Sequence, residues 1–199
     1  DLHTHLRNNG KRYRKRGGKK DTRGIIENRV DIDQRPKIVE QKERFGDWEV
    51  DTIIGKNHKG ALVTMVDRAS GIVKIRKVES KESPQVTHAI ISALKQYQHI
   101  IHTITSDNGK EFAGHQIVKQ NLGVDFFFAK PYHSWERGAN ENANRLIRQY
   151  FPKKTDFSSV SQGRIRMVEN ELNNRPRKRF GFKTPIDIFE KLNQVAFVT

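Results

Sequence analysis

Trp48-Glu-Val-Asp-Thr-Ile-Ile54, followed by Ala61-Leu-Val-Thr-Met-Val66, Asp67-Arg-Ala-Ser-Gly71 and Ile72 to Val78, is the stretch that decides the fold. The first segment alternates. Trp48, Val50, Thr52 and Ile54 fall on one face of a strand, and Asp47, Glu49, Asp51 and Ile53 on the other. The next two β-rich runs are joined by a short Gly-containing link, which predicts a hairpin. A helix follows, with Ser83 placed to cap it and Pro84 suited to its first turn. Val86, Ala89, Ile90, Ala93, Leu94 and Tyr97 form its apolar stripe. Ile100 to Ser106 predicts a strand running into Asp107-Asn-Gly109, and Glu111 to Leu122 a short helix. Val124 to Phe128, apolar apart from Asp125, predicts an interior strand. Past the loop Lys130–Ala139, a helix from about Asn140 to Phe151 stops at Pro152. Two more helices are expected, Ser161 to Asn174 before Pro176, and one opened by Thr184-Pro185 that carries Ile186, Phe189 and Leu192. This order predicts an α/β fold, a mixed sheet with helices on its faces.

The charge is large and uneven. The chain has 199 residues with 38 Lys and Arg against 23 Asp and Glu, a formal net charge of +15, which favours a polyanion such as nucleic acid as partner. Residues 1–25 hold nine Lys and Arg against two Asp, with several glycines, and read as a flexible basic arm or a solubilising tail. Residues 26–45 read as a polar connector, with folded patterning starting near Phe45. The expected division is arm and linker over 1–44, a core over 45–155 and a helical extension over 156–199. The absence of cysteine excludes a disulfide scaffold, a thiol nucleophile and Cys-ligated metal sites. No apolar run approaches the ~18 residues of a membrane span. The start carries no signal pattern and no initiator Met, so the chain is expected to be part of something longer that is not marked for secretion.

Phosphodiester chemistry needs charge neutralised and an oxygen nucleophile activated, a task suited to two magnesium ions held by carboxylates. Asp51 sits inside a strand among apolar neighbours, where a carboxylate is costly unless paired or metal-bound. Asp107 follows a strand end, where open α/β sheets place ligands, although an ordinary Asp-Asn-Gly turn explains it equally. Glu141 shares its helix face with Arg145 and Arg148, while Ala143, Leu146, Ile147 and Tyr150 cluster opposite. The alternative for Glu141 is an i,i+4 surface pair with Arg145. The loop before that helix offers His133, Trp135 and Arg137 for phosphate contacts and stacking on a DNA end, or Trp135 as a core plug. Glu136 is a rival third ligand. Lys110, Arg145, Arg148 and a second cationic patch of Arg175, Arg177, Lys178 and Arg179 complete the candidate DNA contacts.

Trp48-Glu-Val-Asp-Thr-Ile-Ile-Gly55, Ser106-Asp-Asn-Gly-Lys-Glu-Phe112 and Trp135 through Pro152 resemble the catalytic signature of DDE transposases, in particular the insertion-sequence-thirty family of bacteria. Asn173-Asn-Arg-Pro-Arg-Lys-Arg179, with Lys183-Thr-Pro185 and Phe189, is similar to that family's C-terminal tail, and the resemblance runs from about residue 11 to 192. It implies a ribonuclease-H-like fold with a five-stranded sheet, and Asp51, Asp107 and Glu141 as a metal-binding catalytic triad. It also implies magnesium or manganese as cofactor, double-stranded DNA (insertion-sequence ends and target) as partner, a homo-oligomer and a bacterial cytoplasmic location. Strand cleavage and joining is the reading this supports. A nuclease of the same fold that does not join strands, or an inactive DNA-binding relic, are the alternatives.

Overall fold

The computed structural model describes residues 26–130 and 138–196; the basic arm expected over residues 1–25 lies outside the described residues. Five strands, β1 (Asp47–Ile54), β2 (Ala61–Asp67), β3 (Val73–Val78), β4 (Thr103–Ser106) and β5 (Asp125–Phe128), form one sheet in the order β3-β2-β1-β4-β5. β1 pairs antiparallel with β2 and β2 with β3, as the hairpin reading requires, while β1–β4 and β4–β5 are parallel. Among the described residues six α-helices accompany it: α1 (Ile38–Gln41), α2 (Ser83–Leu94), α3 (His115–Leu122), α4 (Gly138–Tyr150), α5 (Gln162–Asn173) and α6 (Pro185–Ala196).

The alternation in β1 sorts two cores. Trp48 and Val50, with Val63 and Met65 of β2, Ile104 of β4 and Phe126 and Phe128 of β5, pack under α2 and α3. Ile53, with Leu62, Val66, Val73 and Ile75, packs on the other side against Leu146 and Ile147 of α4 and Ile165, Val168 and Leu172 of α5. A sheet covered on both faces explains why β2 is buried along its whole length. Among the described residues no helix is long and apolar enough to cross a membrane.

Both sheet edges are covered by segments that the sequence pattern places outside the core. Residues 26–45, expected as a polar connector, are folded: Ile26 and Val39 are buried, and the Phe128 amide donates to Val30 O (2.9 Å) along the outer edge of β5. At the opposite edge, Asn173 of α5 clamps Val73, accepting from its N–H (2.8 Å) and donating to its carbonyl (2.9 Å). Glu169 accepts from the Ile75 amide (2.8 Å). Free edge amides template aggregation, so these side chains do for β3 what a sixth strand would. Ser83 does not cap α2. It is the first helical residue, and its hydroxyl accepts from the Gly114 amide (2.8 Å), tying α2 to the start of α3. The strand expected from Ile100 is confined to Thr103–Ser106, and the helix expected from Glu111 splits into a 3-10 turn at Lys110–Phe112 and α3.

Candidate active site

The parallel register of β1 and β4 sets the site. Glu49 stands opposite Thr105, and the same register continued by two residues brings Asp51 level with Asp107, the residue just after β4. Strand spacing of about 4.8 Å makes these two backbone positions neighbours. Asp51 is half-buried. Its Oδ1 accepts from the Thr52 amide (2.8 Å) and its Oδ2 from Asn144 Nδ2 of α4 (3.0 Å). Asp107 Oδ1 accepts from the Gly109 amide (2.9 Å), so the turn chemistry of Asp-Asn-Gly operates without removing the aspartate from the strand end. The turn is stitched in place by Asn108, which donates to Ala129 O (2.6 Å).

Glu111 joins this neighbourhood and was not singled out by sequence reasoning. Its Oε1 accepts from the Thr52 hydroxyl (3.0 Å). A Cβ on Gly109 would stand 2.4 Å from Glu111 Oε2 and 2.9 Å from Asp107 Oδ1. Those two oxygens therefore lie within the sum of the two distances of each other, and Gly109 is needed for that close approach; its φ of −70° suits any residue. Beside them a cleft of about 510 Å³ is lined by Lys81, Glu82, Ser83 and residues 107–111, including exposed Lys110.

Glu141 is placed differently. Its carboxylate is half exposed and ion-paired with Arg145 one turn along α4, the surface pairing that was the alternative reading. Among the described residues no three His, Asp or Glu side chains come together closely enough to hold a metal ion, so Glu141 does not complete a group with Asp51 and Asp107 here.

What ties the first turn of α4 to β1 is a buried carboxylate that the alternation places on this face, Glu49. Glu49 Oε2 accepts from the Asn140 amide in the first turn of α4 (2.8 Å), and Oε1 from Arg68 Nη1 (2.8 Å), with 1% and 3% of the Glu49 and Arg68 side chains exposed. A carboxylate at a helix N-terminus satisfies an orphan amide and the helix dipole together. Arg68 Nη2 reaches Glu40 Oε2 of α1 (3.0 Å), Glu40 also pairs with Arg35, and Arg35 Nη1 donates to Thr105 of β4 (2.9 Å). Burial opposes the Glu40 charge, but Arg35 and Arg68 outweigh it and hold its pKa below the usual carboxylate value. Burial, then the neighbouring Arg68, lowers that of Arg35. An acid on the same strand face as Asp51 was the available signal for Glu49; its partner 91 residues away was not.

The candidate DNA contacts separate into two groups. Arg148 donates to Ile54 O (3.0 Å) and Pro152 O (3.2 Å), Arg177 to Leu172 O (2.9 Å), and Arg179 to Arg68 O and Ala69 O (both 3.2 Å). These guanidinium groups terminate strands, helices and turns, because unpaired carbonyls at element ends attract them. Burial also lowers the pKa of Arg148 and Arg179. Lys110, Lys178 and Arg175 are exposed, Arg175 with a 3.2 Å bond to Gln149 Oε1. His133, Trp135, Glu136 and Arg137 lie outside the described residues.

Residues 41–134 match the family described as Integrase core domain. The transposase for insertion sequence element IS4351 of Bacteroides fragilis is 58% identical over 201 residues, covering 100% of this chain and 62% of the relative. Transposase InsI for IS30C of Escherichia coli K12 is 37% identical over 191 residues, covering 94% of this chain and 50% of the relative. The chain thus spans about half to three-fifths of the length of these curated relatives. The catalytic core domain of BIV integrase matches with a TM-score of 0.60 at 22% identity, over 76% of this chain and 97% of that one, which establishes the ribonuclease-H-like fold.

Proposed function

We propose that this chain, which resembles the integrase core domain and the insertion-sequence transposases, IS30-type elements included, cleaves and joins DNA strands during transposition. The observation that supports the reading is the β1–β4 register, which, continued two residues past Glu49–Thr105, brings Asp51 level with Asp107, with Asn144 of α4 bonded to Asp51.

This family implies divalent metal use in general. Here the donor chemistry fits magnesium or manganese, because Asp51, Asp107 and Glu141 offer hard carboxylate oxygens and the chain has no cysteine. Asp51 and Asp107 would hold such ions, joined by Glu141 once its side chain leaves Arg145. Bound there in a pair, they would activate the attacking oxygen and stabilise the leaving oxygen of an in-line displacement. The rest falls to the chain. Asn144 and the Thr52 amide fix the Asp51 carboxylate, and the Gly109 amide fixes Asp107. Glu49 holds the first turn of α4, and with it the backbone that carries Glu141. Lys81 and Lys110 at the adjoining cleft are placed to meet phosphate. Double-stranded DNA, both insertion-sequence ends and target, is the proposed partner, and joining two ends calls for a homo-oligomer.

The test is metal-dependent strand transfer on short duplexes, with and without a pre-cleaved end. Asp51→Asn should abolish joining on both substrates while non-specific DNA binding stays near wild type. Equal loss of binding and joining would refute the assignment, and hydrolysis without any joined product from the pre-cleaved end would favour a nuclease.

A further inference from the structure

Residues 177–183, Arg-Lys-Arg-Phe-Gly-Phe-Lys, form a loop closed on itself. The Arg177 amide donates to Lys183 O (3.0 Å), Phe180 N and Phe182 N donate to Arg177 O (2.9 and 3.0 Å), Gly181 N to Lys178 O (3.1 Å), and Lys183 N to Phe180 O (3.3 Å). Its base is fastened to the domain. Arg177 holds the last turn of α5, Arg179 holds the 67–71 turn, and Phe180 packs under the Arg179 guanidinium (4.3 Å) and against Gly71. The tip is therefore a rigid projection.

At that tip stands Phe182, with two features the fold itself does not use. Its side chain is 72% exposed, against 53%, 42% and 39% for Ile117, Ile38 and Met167, the other exposed large apolar residues described. Its backbone sits at φ +67°, a left-handed conformation that crowds Cβ against the chain. A single exposed apolar residue is ordinary; an exposed aromatic held in a strained conformation on a braced loop is the pattern found at functional contacts. The surroundings name the partner. The segment Asn174–Lys183 contains five cations and no acid, with Arg175, Lys178 and Lys183 exposed. The loop also shares a cleft of about 230 Å³ with Ala139, Asn142 and Leu146 of α4, on the side of that helix turned away from Glu141. A ring framed by cations is matched to the stacked bases between two phosphate rows.

We propose that Phe182 is a base-step wedge: it inserts between neighbouring bases of duplex DNA while Lys178 and Lys183 contact the flanking phosphates, unstacking that step. Apolar side chains inserted at a base step kink duplexes in this way. The inference rests on the DNA-joining reading above and adds a contact that the catalytic carboxylates do not require.

The experiment uses the full chain and a short duplex with 2-aminopurine at successive positions through a flexible TA step. Wild type should raise the fluorescence at one position on binding. Phe182→Ala should lose that rise and bind roughly tenfold more weakly, the scale of one lost base–aromatic stack. Its salt dependence should stay unchanged, because no phosphate contact is removed. Phe182→Tyr should restore the signal, and Lys178→Gln should instead lower the salt slope by about one. If Phe182→Ala binds and unstacks the duplex as wild type does, the wedge is refuted while the transposase reading stands. A change of oligomeric state with unchanged fluorescence refutes it as well, by assigning Phe182 to a chain–chain contact. Failure of wild type to bind any duplex overturns both.

Discussion

Replacing Glu49 by Gln tests whether the helix carrying Glu141 is held by a charge. The side chain keeps its shape but faces two donors, Arg68 Nη1 and the Asn140 amide, each at 2.8 Å from one carboxylate oxygen. An amide offers one acceptor oxygen, so either orientation turns its NH₂ against one of these donors. One charge-assisted bond is lost, worth about 1.5–3 kcal/mol, and a buried guanidinium is left short of its counter-charge, which brings breakage of such a pair to roughly 3–5 kcal/mol. Arg68 retains Glu40, but that carboxylate is 62% exposed and screened, so it offsets little. The expected loss is about 3 kcal/mol, or roughly 6–12 °C in Tm for a domain of this size. Urea unfolding of Glu49→Gln should show it as a lower midpoint with an unchanged slope. Replacing both Glu49 and Arg68 by Met should cost much less than the sum of the single changes, since the desolvation of both charges goes with them. Strand transfer, measured where both proteins are fully folded, should also fall, because α4 no longer has a fixed start over β1. A change in stability within about 0.5 kcal/mol, the range of ordinary surface substitutions, would refute the reasoning.

Two further outcomes follow from single residues. Asp67 is fully buried, and burial lifts its pKa from 3.8 to about 6, despite bonds from the Gly46 amide (2.8 Å) and from the Ser70 amide and hydroxyl (both 2.7 Å). A raised folded-state pKa means the folded state binds the proton more tightly. The contribution is present below pH 3.8 and is lost as pH rises through about 6, a change of at most about 3 kcal/mol. Asp67→Asn should remove that falling component from a pH series of denaturation midpoints, and parallel wild-type and variant profiles would contradict it. Gly109→Ala meets no φ restriction but displaces the Glu111 and Asp107 carboxylates, so Tm should stay near wild type while strand transfer drops at least about tenfold; undiminished joining would show that their placement tolerates a shift.

What could be read in the sequence was what local periodicity encodes. Alternation in Trp48–Ile54 forecast the two cores and put Glu49 and Asp51 on the α4 side, because a strand's faces are fixed by its period of two. The stripe Ala143, Leu146 and Ile147 likewise forecast the buried side of α4. Partner choice over long separations was not legible. Nothing local says that Ser83 binds Gly114, that Asn173 closes the edge of β3, or that residues 26–44 line β5. The same gap hides the intramolecular partners of the arginines. A cation in a basic patch is read as a phosphate ligand, yet Arg148, Arg177 and Arg179 satisfy carbonyls at element ends. That need appears only when those ends are placed in space.

The pairing of α4 with β1 shows how one helix can both pack and present chemistry. Asn140, Asn144 and Arg148 follow at steps of four, about 6 Å of rise and 40° of rotation each, and form a nearly straight polar line. Along β1 their partners are the Glu49 carboxylate, the Asp51 carboxylate and the Ile54 carbonyl. A strand advances about 6.6 Å in two residues, so the step from Glu49 to Asp51 matches one step of the helix line, and the long Arg148 side chain spans the extra residue to Ile54. Helix and strand therefore run in the same direction, in register, with a polar seam between the apolar face of α4 and solvent. Glu141, ~60° around the axis from Asn144 and about 4.5 Å before it along the helix, falls just outside that seam between the levels of Glu49 and Asp51 and nearer to Glu49. Its carboxylate is consequently free of packing duty and able to exchange Arg145 for another partner, while the backbone beneath it is fixed by Glu49. In the proposed reaction, an acid recruited when substrate and cations arrive would need that combination of an exchangeable side chain and a fixed main chain.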